Sequence, residues 1–142
     1  MALQEQIKSL ASQFADDLIH IRRYLHQHPE LSYHEYETAK FIAKTLTDYG
    51  LSPETGIAGN GVVALVEGKN PQSKTIALRA DMDALPITEA NEVVYKSQNQ
   101  GVMHACWHDV HTTSLLGVAR ILQQLPNEFE GTVKLIFQPA EE

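Results

Sequence analysis

Apolar residues at Leu3, Ile7, Leu10, Phe14, Leu18, Ile21 and Leu25 recur every three or four positions, with Gln, Lys, Ser and Asp between them. That spacing lays one apolar stripe along a long helix. Pro29 should stop it, because the residue before a proline is pushed out of helical geometry. Ser32 and Glu35 stand three apart, ahead of a second periodic run through Ala39, Ile42, Ala43, Leu46 and Tyr49. The pair reads as a capping box, with Ser32 as N-cap and Glu35 reaching back to it. Gly50 suits the C-terminal cap of this second helix.

The period then changes. Asn60-Gly61 marks a turn, Val62 to Val66 is apolar and largely β-branched, and Lys69-Asn70-Pro71 marks another turn. Thr75 to Leu78 is apolar again and runs into Arg79-Ala80-Asp81-Met82-Asp83. These runs read as two strands joined by a loop, expected to pair as antiparallel neighbours. A third helix is expected from Asp109 or His111, with Leu115, Val118, Ala119, Leu122 and Leu125 on its buried face and Pro126 ending it. Gly131 opens a last strand, Thr132 to Phe137, apolar nearly throughout and so expected to be buried on both faces. Helices flanking a mixed β-sheet make the fold class α/β.

A chain of 142 residues fits one domain, spanning 1–142, with ~70% of the unfolded surface buried in a compact fold. A formal charge of −7 argues against a nucleic-acid partner, which needs a basic face. No apolar stretch approaches the ~20 residues of a membrane span, which argues against a membrane partner. The N-terminus lacks the basic start and apolar core of a signal peptide. A single cysteine excludes an internal disulfide framework. The expected compartment is the cytoplasm.

The chemistry concentrates in Gly101 to Thr113, GVMHACWHDVHTT, which holds the only cysteine, the only tryptophan and three of the seven histidines. Cys106 and His108 are two apart on a segment entering a helix, with His104, Asp109 and His111 close by. A thiolate and an imidazole on such a segment can both turn toward one cation of the zinc, cobalt, nickel or manganese class. The competing reading is a small buried hydrophobe beside surface histidines. A cysteine nucleophile activated by a histidine is also open. Glu141 and Glu142 follow an apolar strand through Gln138-Pro139-Ala140, beyond a strand end where ligands of α/β proteins gather. One of them can bind a metal while the other faces a reacting water. Asp81 and Asp83 also end an apolar strand, where either could orient a metal-binding histidine. His26 and His28 fall at a helix end, where a capping role is expected.

Together these segments resemble the N-acyl-amino-acid amidohydrolases of the aminoacylase–carboxypeptidase superfamily, in the subgroup that includes hippurate hydrolases and auxin-conjugate hydrolases. Four stretches carry the resemblance: IRRYLHQHPELSYHEYETAKFI from Ile21, ALRADMDALPI from Ala77, GVMHACWHDVHTTSLLGVA from Gly101 and GTVKLIFQPAEE from Gly131. It implies a two-metal, aminopeptidase-like catalytic domain, of which this chain is the N-terminal part without the lid and dimerisation domain. Cys106, His108 and Glu142 would be metal ligands, Glu141 the general base, and Asp81 and Asp83 supporting residues. The cofactor implied is a divalent metal, two per active site in the full-length family, as zinc, manganese, cobalt or nickel. The substrate implied is a small N-acyl amino acid or peptide whose amide bond is hydrolysed, and the assembly implied is a homo-oligomer. Under the resemblance Cys106 binds metal, and the nucleophile reading falls.

Two departures stand out. Trp107 occupies the position between the cysteine and histidine ligands where the family has glycine. That glycine either serves a positive φ or leaves room for substrate. The family is also more than twice as long, and at least two further histidine ligands come after its glutamate pair. A second reading is therefore carried alongside: a non-catalytic remnant acting through self-association or partner binding.

Overall fold

The computed structural model describes all 142 residues. Helix α1 spans Leu3–Gln27, α2 Tyr36–Asp48 and α3 His108–Gln124; the strands are β1 Glu54–Ile57, β2 Gly61–Glu67, β3 Thr75–Asp81 and β4 Thr132–Gln138. The four strands form one sheet in the order β1-β2-β4-β3. The mixed sheet and its helices agree with the α/β class.

Strand order corrects one expectation. The strands β2 and β3 are not neighbours, because β4 lies between them, antiparallel to β2 and parallel to β3. The last strand carries Val133, Leu135 and Phe137 on one face, all buried, and therefore takes the central position where both of its edges are paired. The segment β3–α3–β4 is thus a crossover joining two parallel strands, which brings their carboxyl ends together with Asp81 opposite Gln138. Gly131 stands just before β4 at φ 88°, and a Cβ there would lie 2.5 Å from the Lys74 carbonyl oxygen, so only glycine fits beside the start of β3.

The core fills one side of the sheet. Ile42 and Leu46 of α2 and Leu115, Leu116 and Ala119 of α3 pack on Val62, Ala64, Val66, Leu135 and Phe137. Helix α1 lies over α3, with Leu18 so close to Gly117 that a Cβ there would sit 3.0 Å from a Leu18 methyl group. The opposite sheet face is open: Leu65 of β2 is 49% exposed, and its neighbours Lys134 of β4 and Ala77 of β3 also face solvent. Ile76 and Leu78 share the helix-covered face with Val133 and Leu135, yet stay 56% and 38% exposed because β3 is an open edge of the sheet. The expectation that β4 is buried on both faces is therefore corrected, because all three helices sit on one side. The α1 stripe is likewise used in part, since Leu3 and Ile7 stay exposed while Phe14 and Leu25 are buried.

The capping box is corrected too. Helix α2 begins at Tyr36 with Glu35 as N-cap and no side-chain cap from Ser32. A left-handed turn at Tyr33, φ 66°, aims both residues elsewhere. Glu30 satisfies the helix start instead, accepting the amides of Glu37 at 3.1 Å and Thr38 at 2.6 Å. At the other end of α1 the imidazole of His28 bonds the Tyr24 carbonyl oxygen at 2.7 Å, as expected of a helix-end histidine.

Candidate metal centre

The candidate residues meet where three elements end or begin: the carboxyl ends of β3 and β4 and the start of α3. Asp81 closes β3, and Asp83 follows two residues on, past the buried Met82. Cys106 and Trp107 lead into His108, the first residue of α3. Glu141 and Glu142 lie just beyond β4.

His108 is 2% exposed and is held by one ring nitrogen. Its Nδ1 lies 2.8 Å from the carbonyl oxygen of Asp83, an oxygen that can only accept, so Nδ1 carries the proton. The Nε2 lone pair is left free, as a metal ligand requires. Three carboxylate oxygens surround that nitrogen: Asp81 Oδ2 at 3.5 Å, Glu141 Oε2 at 3.7 Å and Glu142 Oε1 at 3.7 Å. Cys106, His108 and Glu142 each offer one donor atom, and the three atoms lie within 4.8 Å of one another. A sulfur, an imidazole nitrogen and a carboxylate oxygen at that spacing suit a borderline divalent cation with little rearrangement. Asp81, His108 and His111 form a second such group, drawing on the same histidine.

Each acidic group has a distinct setting. Asp83 Oδ2 accepts the Ser32 hydroxyl at 2.7 Å and the Glu142 amide at 3.0 Å. Burial pushes its carboxyl up, but these bonds to the Ser32 hydroxyl and to backbone amides outweigh burial and hold it below the usual range. Asp81 bonds His111 Nδ1 at 2.7 Å and Arg79 at 2.6 Å. Burial again works upward, while the His111 bond and the charges of His108 and His111 bring it down. Cys106 is exposed, and its thiol is held above the ordinary value, first by a hydrogen bond to Glu142 and then by burial and nearby carboxylates. A cation in place of that thiol proton would favour the thiolate instead.

Trp107 answers one question raised by its position. Its backbone is left-handed, φ 69° and ψ 17°, a conformation that suits glycine, while its indole turns outward and is 64% exposed. The left-handed backbone is thus a reason for glycine at this position that this chain's geometry shows directly.

His26 does not cap α1, contrary to expectation. It is 3% exposed, with Nδ1 2.8 Å from Asp109 Oδ2 and Nε2 2.8 Å from Glu89 Oε1. Arg22 Nε stands 3.0 Å from the same Asp109 oxygen. Helix α1 crosses α3 here, so the packing of two helices turns His26 inward to meet the second residue of α3. His104 lies in electrostatic range of Asp109, His26, His108 and Asp83, with neither ring nitrogen hydrogen-bonded. Burial brings its pKa down to about 4, so it is neutral at physiological pH. The sequence carries no signal for the His26 cluster, whose members are 63 and 83 positions apart.

No helix is long and apolar enough to cross a membrane. Residues 77–142 match the group described as Peptidase family M20/M25/M40. The chain is 48% identical over 143 aligned positions to thermostable carboxypeptidase 2 of Saccharolobus solfataricus, covering 100% of this chain and 36% of that one. It is 45% identical to an N-acyl-L-amino acid amidohydrolase of Geobacillus stearothermophilus, covering 98% of this chain and 37% of that one. Among solved structures, the YXEP protein of Bacillus subtilis, described as a dinuclear metal binding peptidase from the M20 family, superposes with a TM-score of 0.86 at 44% identity. That superposition covers 92% of this chain and 36% of the other. The chain thus spans a little over a third of the length of the relatives it matches. Sequence agreement runs the length of these 142 residues and fold agreement over 92% of them, and the chain belongs to the peptidase M20/M25/M40 family.

Proposed function

We propose that this chain carries part of the catalytic domain of a metal-dependent amidohydrolase that cleaves N-acyl amino acids or small peptides. The observation that carries the reading is the free Nε2 of His108, faced by Glu141 and Glu142 at 3.7 Å and grouped with Cys106 and Glu142 within 4.8 Å. Cys106, His108 and Glu142 would hold a divalent cation of the zinc, manganese, cobalt or nickel class. When bound, such a cation polarises an amide carbonyl and lowers the pKa of water. Glu141 is the general base, since it is partly open to solvent yet 3.7 Å from the ligand nitrogen of His108. It takes the proton of the attacking water and returns it to the amine that leaves. Asp83 holds the His108 ring in the tautomer that leaves Nε2 free, and Asp81 supports the site from beside His111.

The second ion of the dinuclear relatives, its remaining ligands and a lid domain would come from sequence beyond these residues. A cytoplasmic homo-oligomer fits the single cysteine and the open edge strand β3 with its exposed Ile76 and Leu78. The remnant reading is not favoured, because the matches run through the whole chain with Cys106, His108, Glu141 and Glu142 all present.

The test is a cobalt titration of the purified chain. One cobalt should bind per chain with a thiolate-to-cobalt absorption band, which Cys106→Ser should abolish. Glu142→Gln should weaken binding, while Glu141→Gln should keep it. Absence of the band, or equal weakening in the two glutamate variants, would sink the assignment.

A further inference from the structure

Glu35 is 0% exposed, and nothing said so far of the catalytic reading uses it. A carboxylate is costly to bury unless donors surround it. Here Oε1 accepts the Ala140 amide at 2.8 Å and the Tyr33 amide at 3.0 Å, while Oε2 accepts the Asn60 side-chain amide at 3.1 Å. Two of these donors belong to residues held in left-handed backbone, Tyr33 at φ 66° and Ala140 at φ 52°. A residue with a Cβ keeps that conformation only where its surroundings impose it.

The turn at Ala140 has a consequence for the site. Successive residues of a strand point to opposite faces, so a straight continuation of β4 would send Glu141 and Glu142 apart. Instead both carboxylates lie 3.7 Å from the same nitrogen, His108 Nε2. The chain must leave the strand between Gln138 and Glu141, and Ala140 is where its φ turns positive. Pro139 has no N–H to anchor this departure. Glu35 grips the amide before Glu141, and Asp83 grips the amide after it at 3.0 Å.

We propose that Glu35 is a positioning residue: by holding the Ala140 amide it fixes the left-handed turn that brings Glu141 and Glu142 together onto the free nitrogen of His108. The importance of that position rests on the metal-site reading above. The grip itself does not.

Two measurements on the same chain separate these levels, using Glu35→Ala, Glu35→Gln and Asn60→Ala. In amide NMR of the metal-free protein, Glu35→Ala should shift the Ala140 to Glu142 amides and speed hydrogen exchange at Ala140 about tenfold or more, leaving Leu135 unchanged. Glu35→Gln exchanges a charged acceptor for a neutral one, so the Ala140 amide proton should move upfield even if the alanine variant does not fold. An unmoved Ala140 amide in either folded variant would overturn the proposal. In the cobalt titration, Glu35→Ala should weaken binding roughly 10–100-fold, the range for partners behind a ligand. Glu35→Gln should weaken it less, because its carbonyl oxygen still accepts both backbone amides. Asn60→Ala removes a neighbouring bond but leaves the Ala140 grip, so it should lower the melting temperature without changing cobalt affinity. Affinity that merely follows melting temperature across the three variants would reduce Glu35 to a structural residue and overturn the proposal. If the unaltered chain takes up no cobalt, the metal reading fails, and the amide measurement still decides whether Glu35 sets the turn.

Discussion

Replacing His26 by alanine should be among the most destabilising single changes in this chain, and its cost should depend on pH. Both ring nitrogens face carboxylate oxygens at 2.8 Å, an arrangement that both can satisfy as donors only in the imidazolium form. The bond to Asp109 is the largest influence on His26 and, with Glu89, raises its pKa above the ordinary value against the opposing effect of burial. Burial works upward on Asp109 and Glu89, yet their partners hold both carboxyls below the usual range. Alanine removes two hydrogen bonds to charged groups, each worth ~1.5–3 kcal/mol. It also leaves two buried carboxylates short of a cation, a loss of ~3–5 kcal/mol in comparable pairs. Arg22 at 3.0 Å from Asp109 and the Ser97 amide at 2.6 Å from Glu89 remain, which keeps the expectation near the lower end, about 3 kcal/mol. The raised His26 pKa makes its contribution complete below the unfolded value of ~6.5 and lost as pH rises through the folded value. The lowered carboxyls make theirs complete above ~4.3 and lost as pH falls through their folded values. The cost of His26→Ala should therefore peak between about pH 4.5 and 6.5 and shrink toward pH 9, where neutral imidazole still donates one bond. Urea unfolding of both proteins at pH 5.5 and pH 9 measures this directly. A cost under ~1 kcal/mol at pH 5.5, or one that holds or grows at pH 9, would refute the charged double pair.

Three further outcomes follow from other parts of the molecule. Trp107→Gly should stabilise the chain relative to Trp107→Ala by about 1 kcal/mol in urea unfolding, because glycine releases the left-handed strain that alanine keeps; equal stabilities would contradict the backbone reading. The open edge strand β3, with Ile76 and Leu78 exposed, should drive concentration-dependent association in sedimentation, which Ile76→Lys should weaken; a monomer at all concentrations would count against it. With its two ligand groups, Cys106, His108 and Glu142 and Asp81, His108 and His111, sharing the single His108, the chain by itself should not turn over N-acetyl or N-benzoyl amino acids with added zinc, manganese, cobalt or nickel. Metal-dependent turnover that disappears in Glu141→Gln would overturn that expectation.

Local pattern determined much of this protein. The three- and four-residue spacing from Leu3 to Leu25 marks α1, Pro29 follows its end, and Gly50 at φ 88° follows α2, because helices and their ends are written in neighbouring residues. Cys106, His108, Glu141 and Glu142 were legible as a possible site because each motif is contiguous and sits at an element's end. Strand order was not legible: β4 lies last in sequence yet pairs between β2 and β3, a choice made by which strand can bury Val133, Leu135 and Phe137 with both edges paired. Strand β1 was missed because all four of its residues are exposed and show no apolar alternation. Glu35 reads as a local cap, but its donors are Tyr33, Asn60 and Ala140, the last 105 positions away. His26 reads as a helix-end cation, and only the crossing of α1 over α3 turns it toward Asp109 and Glu89. Periodicity encodes what a residue does along its own element, whereas the partner of a buried charge is chosen by packing between elements that no local pattern contains.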